Sequence, residues 1–242
     1  MKRQIRRGVF ETNSSSQHSL CIMKRDEHYT PDEIAKDFYL WDDKKTGEKD
    51  CEWHIWDHDM EFGRSPFRAL GNFHDKWLYA CASLVHEYND ENYKKLEALA
   101  LKYVPGLKKI VFPMISDSVA DKNHPENKDS DYAQEYGKTE NELNEWLEQK
   151  EKDWGIDTIE YWETSNGYFH FKKPYTGYVD EDMLSGFLKK ENISLEEYLT
   201  NKKYVVIQDG DEYGYFGDMK RSGLINLDAI DHEYPRAYGT ED

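Results

Sequence analysis

Apolar residues recur along this chain with two different periods, and together they predict a mixture of strands and helices. Near the N-terminus, Ile5 and Val9 of RQIRRGVF fall on one side of an extended segment, as do Leu20 and Ile22 of HSLCIMK, so residues 3–10 and 18–24 read as strands. The polar run ETNSSSQ between them fits neither period and reads as a loop. Later, KIVFP (109–113) reads as a short buried strand, and YVVIQ (204–208) as the clearest one. Residues 156–164 and 168–173 flank Ser165-Asn166-Gly167, the signature of a hairpin turn. A last short apolar segment, GLINLDAI, follows at 223–230.

The helical period appears elsewhere. Thr30-Pro31-Asp32-Glu33 combines an N-cap, a proline at the first helical position and acids in the first turn, so a helix is predicted to run to about Leu40. Residues 42–52 read as a loop. Over 66–104, Leu70, Phe73, Trp77, Leu78, Cys81, Leu84, Val85 and Tyr88 keep helical spacing, and Leu96, Leu99, Ala100 and Tyr103 continue it. One long helix or two shorter ones are expected there, with Asn89-Asp90 as the break and Pro105-Gly106 as the end. Thr139 and Glu142 form a capping box for a helix to about Lys150, and Asp180 and Ser194 start helices over 181–190 and 195–202. Residues 116–138 have no period and read as an exposed insertion. With no internal repeat and no proline- or glycine-rich linker, the expectation is a single mixed α/β (α+β) domain over residues 1–242, a small central sheet flanked by helices.

Composition narrows the class. Only 38% of residues are hydrophobic but 14% are aromatic, so tyrosine and tryptophan carry much of the core and their polar tips need partners. The formal net charge of −17 repels nucleic acids and anionic membranes, so direct DNA or RNA binding is not expected. Cys21, Cys51 and Cys81 are odd in number and far apart, which argues against a disulfide framework or a zinc ribbon and for a reducing compartment. No apolar run approaches the ~20 residues of a membrane span.

The charge is uneven. Through residue 25 there are six basic residues (Lys2, Arg3, Arg6, Arg7, Lys24, Arg25) against Glu11 alone, whereas the rest carries 26 basic and 48 acidic residues. This basic island either docks on the acidic body or receives an anion. It contains the most unusual stretch of the chain, Arg6-Arg7-Gly8-Val9-Phe10-Glu11-Thr12-Asn13-Ser14-Ser15-Ser16-Gln17-His18. Clustered hydroxyls and backbone N–H groups form anion-binding concavities, Arg6 and Arg7 supply bidentate contacts to phosphate or carboxylate, and His18 can donate a proton near neutral pH. The candidate ligand-binding set is therefore Arg6, Arg7, Glu11, Thr12, Asn13, Ser14, Ser15, Ser16 and His18, with His18 the candidate catalytic residue should a reaction occur. The bland alternative is a polar loop bonded to itself in solvent, and no GxxxxGK[ST] or GxGxxG fingerprint is present.

The run RRGVFETNSSSQHSL resembles the opening of an uncharacterised protein family of phage and Firmicute genomes. The stretch Val206-Ile-Gln-Asp-Gly-Asp-Glu-Tyr-Gly, with Gly223-Leu-Ile, is also similar to it. The resemblance covers about fifteen residues well and about twenty more loosely. It implies an origin in a phage or mobile element within a bacterium and, by association, a place in counter-defence; it implies no mechanism.

Two further constellations carry chemistry. Asp209, Asp211 and Glu212 follow a predicted buried strand, where oxygen ligands can hold Mg²⁺ or another divalent cation; the EF-hand template fails at Tyr213 and Lys220. If this turn lies beside the N-terminal loop, cation and anion share one pocket. His54 and His58, four apart with Asp57, Asp59 and then His74 nearby, can bind zinc if helical, although no HExxH is present; the alternative is a pair of amphipathic histidines among tryptophans. Three functions remain open: a site for a phosphate-bearing small molecule, a nucleotide among them; an acidic inhibitor of a basic host protein, or a nucleic-acid mimic; and an interaction module with no ligand.

Overall fold

The computed structural model describes residues 17–23, 26–62, 68–179, 184–209 and 230–234. The protein is α+β, with seven helices and small sheets among the described residues, as the two apolar periods predict. The chain divides into two compact units, one made of residues 1–86, 91–111 and 176–242, the other of 87–90 and 112–175.

In the first unit, β1 (Gln17–Met23) is central to a four-stranded antiparallel sheet. Its neighbours are β10 (Tyr204–Asp209) on one side and β11 (Ile230–Tyr234) on the other, with β4 (Arg68–Leu70) paired to β10. The predicted strand at 18–24 thus appears one residue early, whereas the one expected at 3–10 lies outside the described residues. Leu20, Val206 and Leu70 form one cross-strand row and are almost wholly buried. That row marks the core face of the sheet, because directly opposed residues share a face.

Helix α1 (Pro31–Ala35) opens with the expected capping box, Thr30 Oγ1 accepting from the Glu33 backbone and Glu33 accepting from that of Thr30, but it stops well short of Leu40. The predicted helical stretch 66–104 resolves into β4, α2 (Phe73–Leu84) and α3 (Glu91–Tyr103). The strand at 68–70 pairs with β10, and the helix start is fixed next to it. Asn72 is the N-cap of α2 and accepts from the Asp75 backbone, so the helix cannot begin earlier. Asn89, with φ 70°, breaks the path between α2 and α3 where the sequence placed the break. Trp77, in the middle of α2, meets Trp53 edge-on at 4.8 Å and donates from Nε1 to the Leu96 carbonyl at 2.8 Å. Trp53 belongs to β2 (Glu52–His54), which pairs in parallel with β5 (Lys109–Val111). A 3-10 turn, Asp57–Met60, leads into β3 (Glu61–Phe62), the parallel partner of β9 (Tyr178–Val179). Helices α6 (Leu184–Glu191) and α7 (Leu195–Thr200) complete the unit; Ser194 caps α7 as predicted.

The second unit is a three-stranded antiparallel sheet, β6 (Met114–Ala120), β8 (Tyr168–Pro174) and β7 (Tyr161–Thr164), with β8 central. Phe169 and Phe171 of β8 pack with Leu143, Leu147 and Trp154 of α5 (Glu140–Trp154) to form its core. The predicted hairpin turn closes β7 on β8, with Gly167 at φ 75°. Residues 116–138, expected as an exposed insertion, hold most of β6, a 3-10 turn (Pro125–Asn127) and α4 (Asp131–Tyr136). Asn127 ties that segment down, donating to the carbonyls of Asp121 and Gly167 at 2.9 and 2.8 Å.

Candidate functional site

Arg6, Arg7, Glu11, Thr12, Asn13, Ser14, Ser15 and Ser16 lie outside the described residues, as do Asp211 and Glu212. What the structure places are the strands that lead out of these two segments. Gln17, which follows Ser16, is the register partner of Asp209, which precedes Gly210. Opposed Cα atoms in an antiparallel pair lie roughly 4.5–5.5 Å apart. The described ends of the hydroxyl-rich segment and of the acidic turn are therefore adjacent at one end of one strand pair.

His18 is opposed to Gln208, and Gln208 to Arg68, so these three form a row across β1, β10 and β4. The row lies two register positions along from that of Leu20, Val206 and Leu70. At this end of the sheet a cleft of about 360 Å³ opens, lined by Asp59, Phe62, Arg68, Ala69, Leu70, His74, Asp75 and Leu78. The first turn of α2 supplies His74 and Asp75, whose Nδ1 and Oδ1 atoms are 3.0 Å apart. The His74 ring is held edge-on by Phe38 at 5.0 Å and tilted against Trp53 at 5.2 Å. Asp37 is close to the same pair: burial, then the Asp75 charge, raises its carboxyl above the ordinary value, with His74 opposing. Phe62, Leu70 and Leu78 make the buried apolar wall.

The frame behind the cleft is a buried polar cluster. Lys76 is fully buried on α2, and its Nζ donates to the carbonyls of Tyr198 and Asn201, both at 2.8 Å. These carbonyls end α7, where helical acceptors have no partner within the helix. The ammonium also sits 5.0 Å from the Tyr29 ring and 5.5 Å from that of Tyr198. Asn201 donates to Asp26 at 2.6 Å and to Glu197 at 2.7 Å. Tyr29 donates its hydroxyl to the carbonyl of Gly71, immediately before the α2 cap, so the cluster braces the segment that presents Arg68 and His74.

His54 and His58 are not on one helical face. His54 is in β2, with Nε2 2.8 Å from Glu52 Oε2, and this bond holds the Glu52 carboxyl below its ordinary value against desolvation. His58 is in the exposed 3-10 turn beside Asp57 and Asp59. Among the described residues, no group of three or more His, Cys, Asp or Glu side chains is arranged to hold a metal ion. Among them, too, no helix is long and apolar enough to cross a membrane.

Arg68, His74 and Asp75 were not legible as a cleft in the sequence, because helical spacing over 66–104 absorbed them. The available signal was Arg64 and Arg68 four apart within the acidic body of the chain.

Fold and site together define an α+β protein with an arginine–histidine cleft at the end of an antiparallel sheet. No family model, curated protein or solved structure matches the chain.

Proposed function

We propose that this is an accessory protein of phage or mobile-element type that binds a phosphate-bearing small molecule, a nucleotide among the candidates, at its N-terminal Arg/Ser-rich segment. The observation that carries the reading is the strand register. His18, the last residue of the candidate set, shares a register row with Gln208 and Arg68, and Arg68 lines a cleft. Guanidinium groups converging with hydroxyls and backbone N–H groups suit a phosphate, which takes several charge-assisted hydrogen bonds at once. A cleft of about 360 Å³ is at the lower end of small-ligand sites, which span roughly 300–1,000 Å³. A divalent cation held by Asp209, Asp211 and Glu212 would accompany the phosphate. Counter-defence in the bacterial cytoplasm is the role this origin suggests.

The test is native mass spectrometry of the purified protein for carried ligand, with thermal melting in the presence of nucleotides and inorganic phosphate. A rise in melting temperature that Arg7→Ala and Ser15→Ala abolish, each variant melting normally without ligand, is the expected result. Silence of both variants removes the site.

A second reading has its own observation. The second unit carries 17 acidic against 7 basic residues, and Glu142, Glu145 and Glu148 of α5 are exposed. An acidic face of this kind suits a basic host protein, with fast, salt-sensitive association. Capture of a basic bacterial protein at low salt, lost steeply as salt rises, supports it; capture insensitive to salt counts against it.

A further inference from the structure

In the second unit, α5 covers one face of the three-stranded sheet. Phe169 and Phe171 of β8 pack with Leu143 and Leu147 of α5, and Asp117, Val119 and Tyr161 share their rows. Side chains alternate along a strand, so Ser116 and Ser118 of β6, His170 and Lys172 of β8 and Trp162 of β7 belong to the opposite face. Ser118, His170 and Trp162 form one row across the sheet, and Ser116 opposes Lys172 in the next. Ser116, Ser118 and Lys172 are exposed, and Trp162 is 45% exposed. The Trp162 and His170 rings are stacked, 16° from parallel with centroids 5.7 Å apart, so the imidazole braces an indole that still meets solvent.

Polarity and charge decide what this face takes. Among the described residues, the hydroxyls of Ser116 and Ser118 and the Lys172 ammonium have no hydrogen-bond partner. Lys173, on the α5 side, is bonded to Asp117 at 2.6 Å. Two hydroxyls, an imidazole and an ammonium make the face too polar for a sheet-on-sheet contact between two copies, where apolar side chains interdigitate. No carboxylate belongs to this face of the three strands, although the unit carries 17 acidic against 7 basic residues. So acidic a unit repels a polyanion, which disfavours a nucleic acid whose bases would stack on the indole. The groups present suit an uncharged ligand with a flat apolar face for the indole and hydroxyls for its neighbours, and a hexose ring has both. The row from β6 to β7 spans two interstrand spacings, about 10 Å, which is wider than one such ring. We infer that the open face of this sheet binds a neutral hexose oligosaccharide, with one ring stacked on Trp162 and hydroxyls bonded to Ser116, Ser118, His170 and Lys172.

Calorimetric titration of the full-length protein with maltohexaose, cellohexaose and chitohexaose, beside a single-stranded thymidine decamer, tests this. The wild type is expected to bind at least one hexaose about tenfold or more tighter than the decamer; the tightest names the linkage. Trp162→Ala is expected to weaken that binding about tenfold, Trp162→Phe to recover part of it, and Ser118→Ala and Lys172→Ala to weaken it a few-fold each, about the worth of one hydrogen bond. All four positions change exposed side chains, so each variant is expected to melt as the wild type does. Binding of the decamer as tightly as the hexaoses overturns the ligand class. No binding of any hexaose, or hexaose binding that survives Trp162→Ala, overturns the site. An equal loss in Glu145→Gln, on α5, would also move the site off this face. A dimer in sedimentation that Trp162→Ala dissociates would give the face to a second copy and overturn the inference.

Discussion

Individual side chains show how this acidic chain spends its few cations. Lys76 is the extreme case, a buried ammonium whose described oxygen partners are two carbonyls at the end of α7. Lys76→Met keeps the volume but leaves both acceptors buried and unpaired. A loss of about 3 kcal/mol, read as a lower midpoint in urea at unchanged slope, is expected from hydrogen bonds of this charged kind. Glu33 shows the opposite situation, exposed yet strongly held. The Lys202 hydrogen bond first, then the Thr30 backbone, lowers its pKa from 4.5 to about 2. Because the folded-state value lies below the unfolded one, the stabilisation is fully present above pH 4.5 and is lost as pH falls towards 2. Carboxyl NMR should therefore give Glu33 a midpoint near 2 in the wild type and a higher one in Lys202→Met, still below the ordinary 4.5 because the Thr30 hydrogen bonds remain. An unchanged midpoint in the variant would show that the lysine is not the cause. Aromatic tips divide unevenly. Trp77 has its carbonyl partner, but Trp154 Nε1 and the Tyr198 hydroxyl are buried with no hydrogen-bond partner among the described residues. Burial raises the Tyr198 hydroxyl well above its ordinary value.

At the level of elements, caps and turns were the most legible features. Thr139 accepts from the Glu142 backbone, and Glu142 accepts from that of Thr139, as the spacing alone predicted. Thr139→Ala is expected to cost about 1 kcal/mol, seen as a lower melting temperature. Gly137 was invisible as a constraint: a Cβ there would stand 2.3 Å from the Ala133 carbonyl oxygen and 2.6 Å from that of Ala120. Both obstacles are backbone, so Gly137→Ala should cost about 2 kcal/mol or more, in the range of overpacking. A variant as stable as the wild type would contradict the close approach of α4 to β6. The same contrast explains what else the sequence withheld. A capping box is local and written within four residues, whereas β4 is three residues long and exists because β10 lies beside it. Helical spacing therefore claimed 68–70, and Arg68 was read on a helix. The segment 116–138 misled for a similar reason: β6 alternates exposed and half-buried residues, and its order comes from β8 and Asn127 rather than from an apolar run of its own.

For the molecule as a whole, charge and register are the two organising facts. The acid excess is shared by both units, and the basic island precedes β1, the strand at the centre of the main sheet. The sequence established the composition of the candidate site but not its surroundings, since no local signal pairs His18 with Gln208 or Gln208 with Arg68 across 190 and 140 residues. Once paired, His18, Gln208 and Arg68 stand in one register row of the main sheet. The most direct measurement is a backbone-amide NMR titration of the full-length protein with adenosine monophosphate and ribose 5-phosphate. Saturable shifts clustered at Gln17, His18, Gln208, Arg68 and His74 are the expected result. Shifts confined to α5 and the second unit, or none at saturating ligand, would contradict the account.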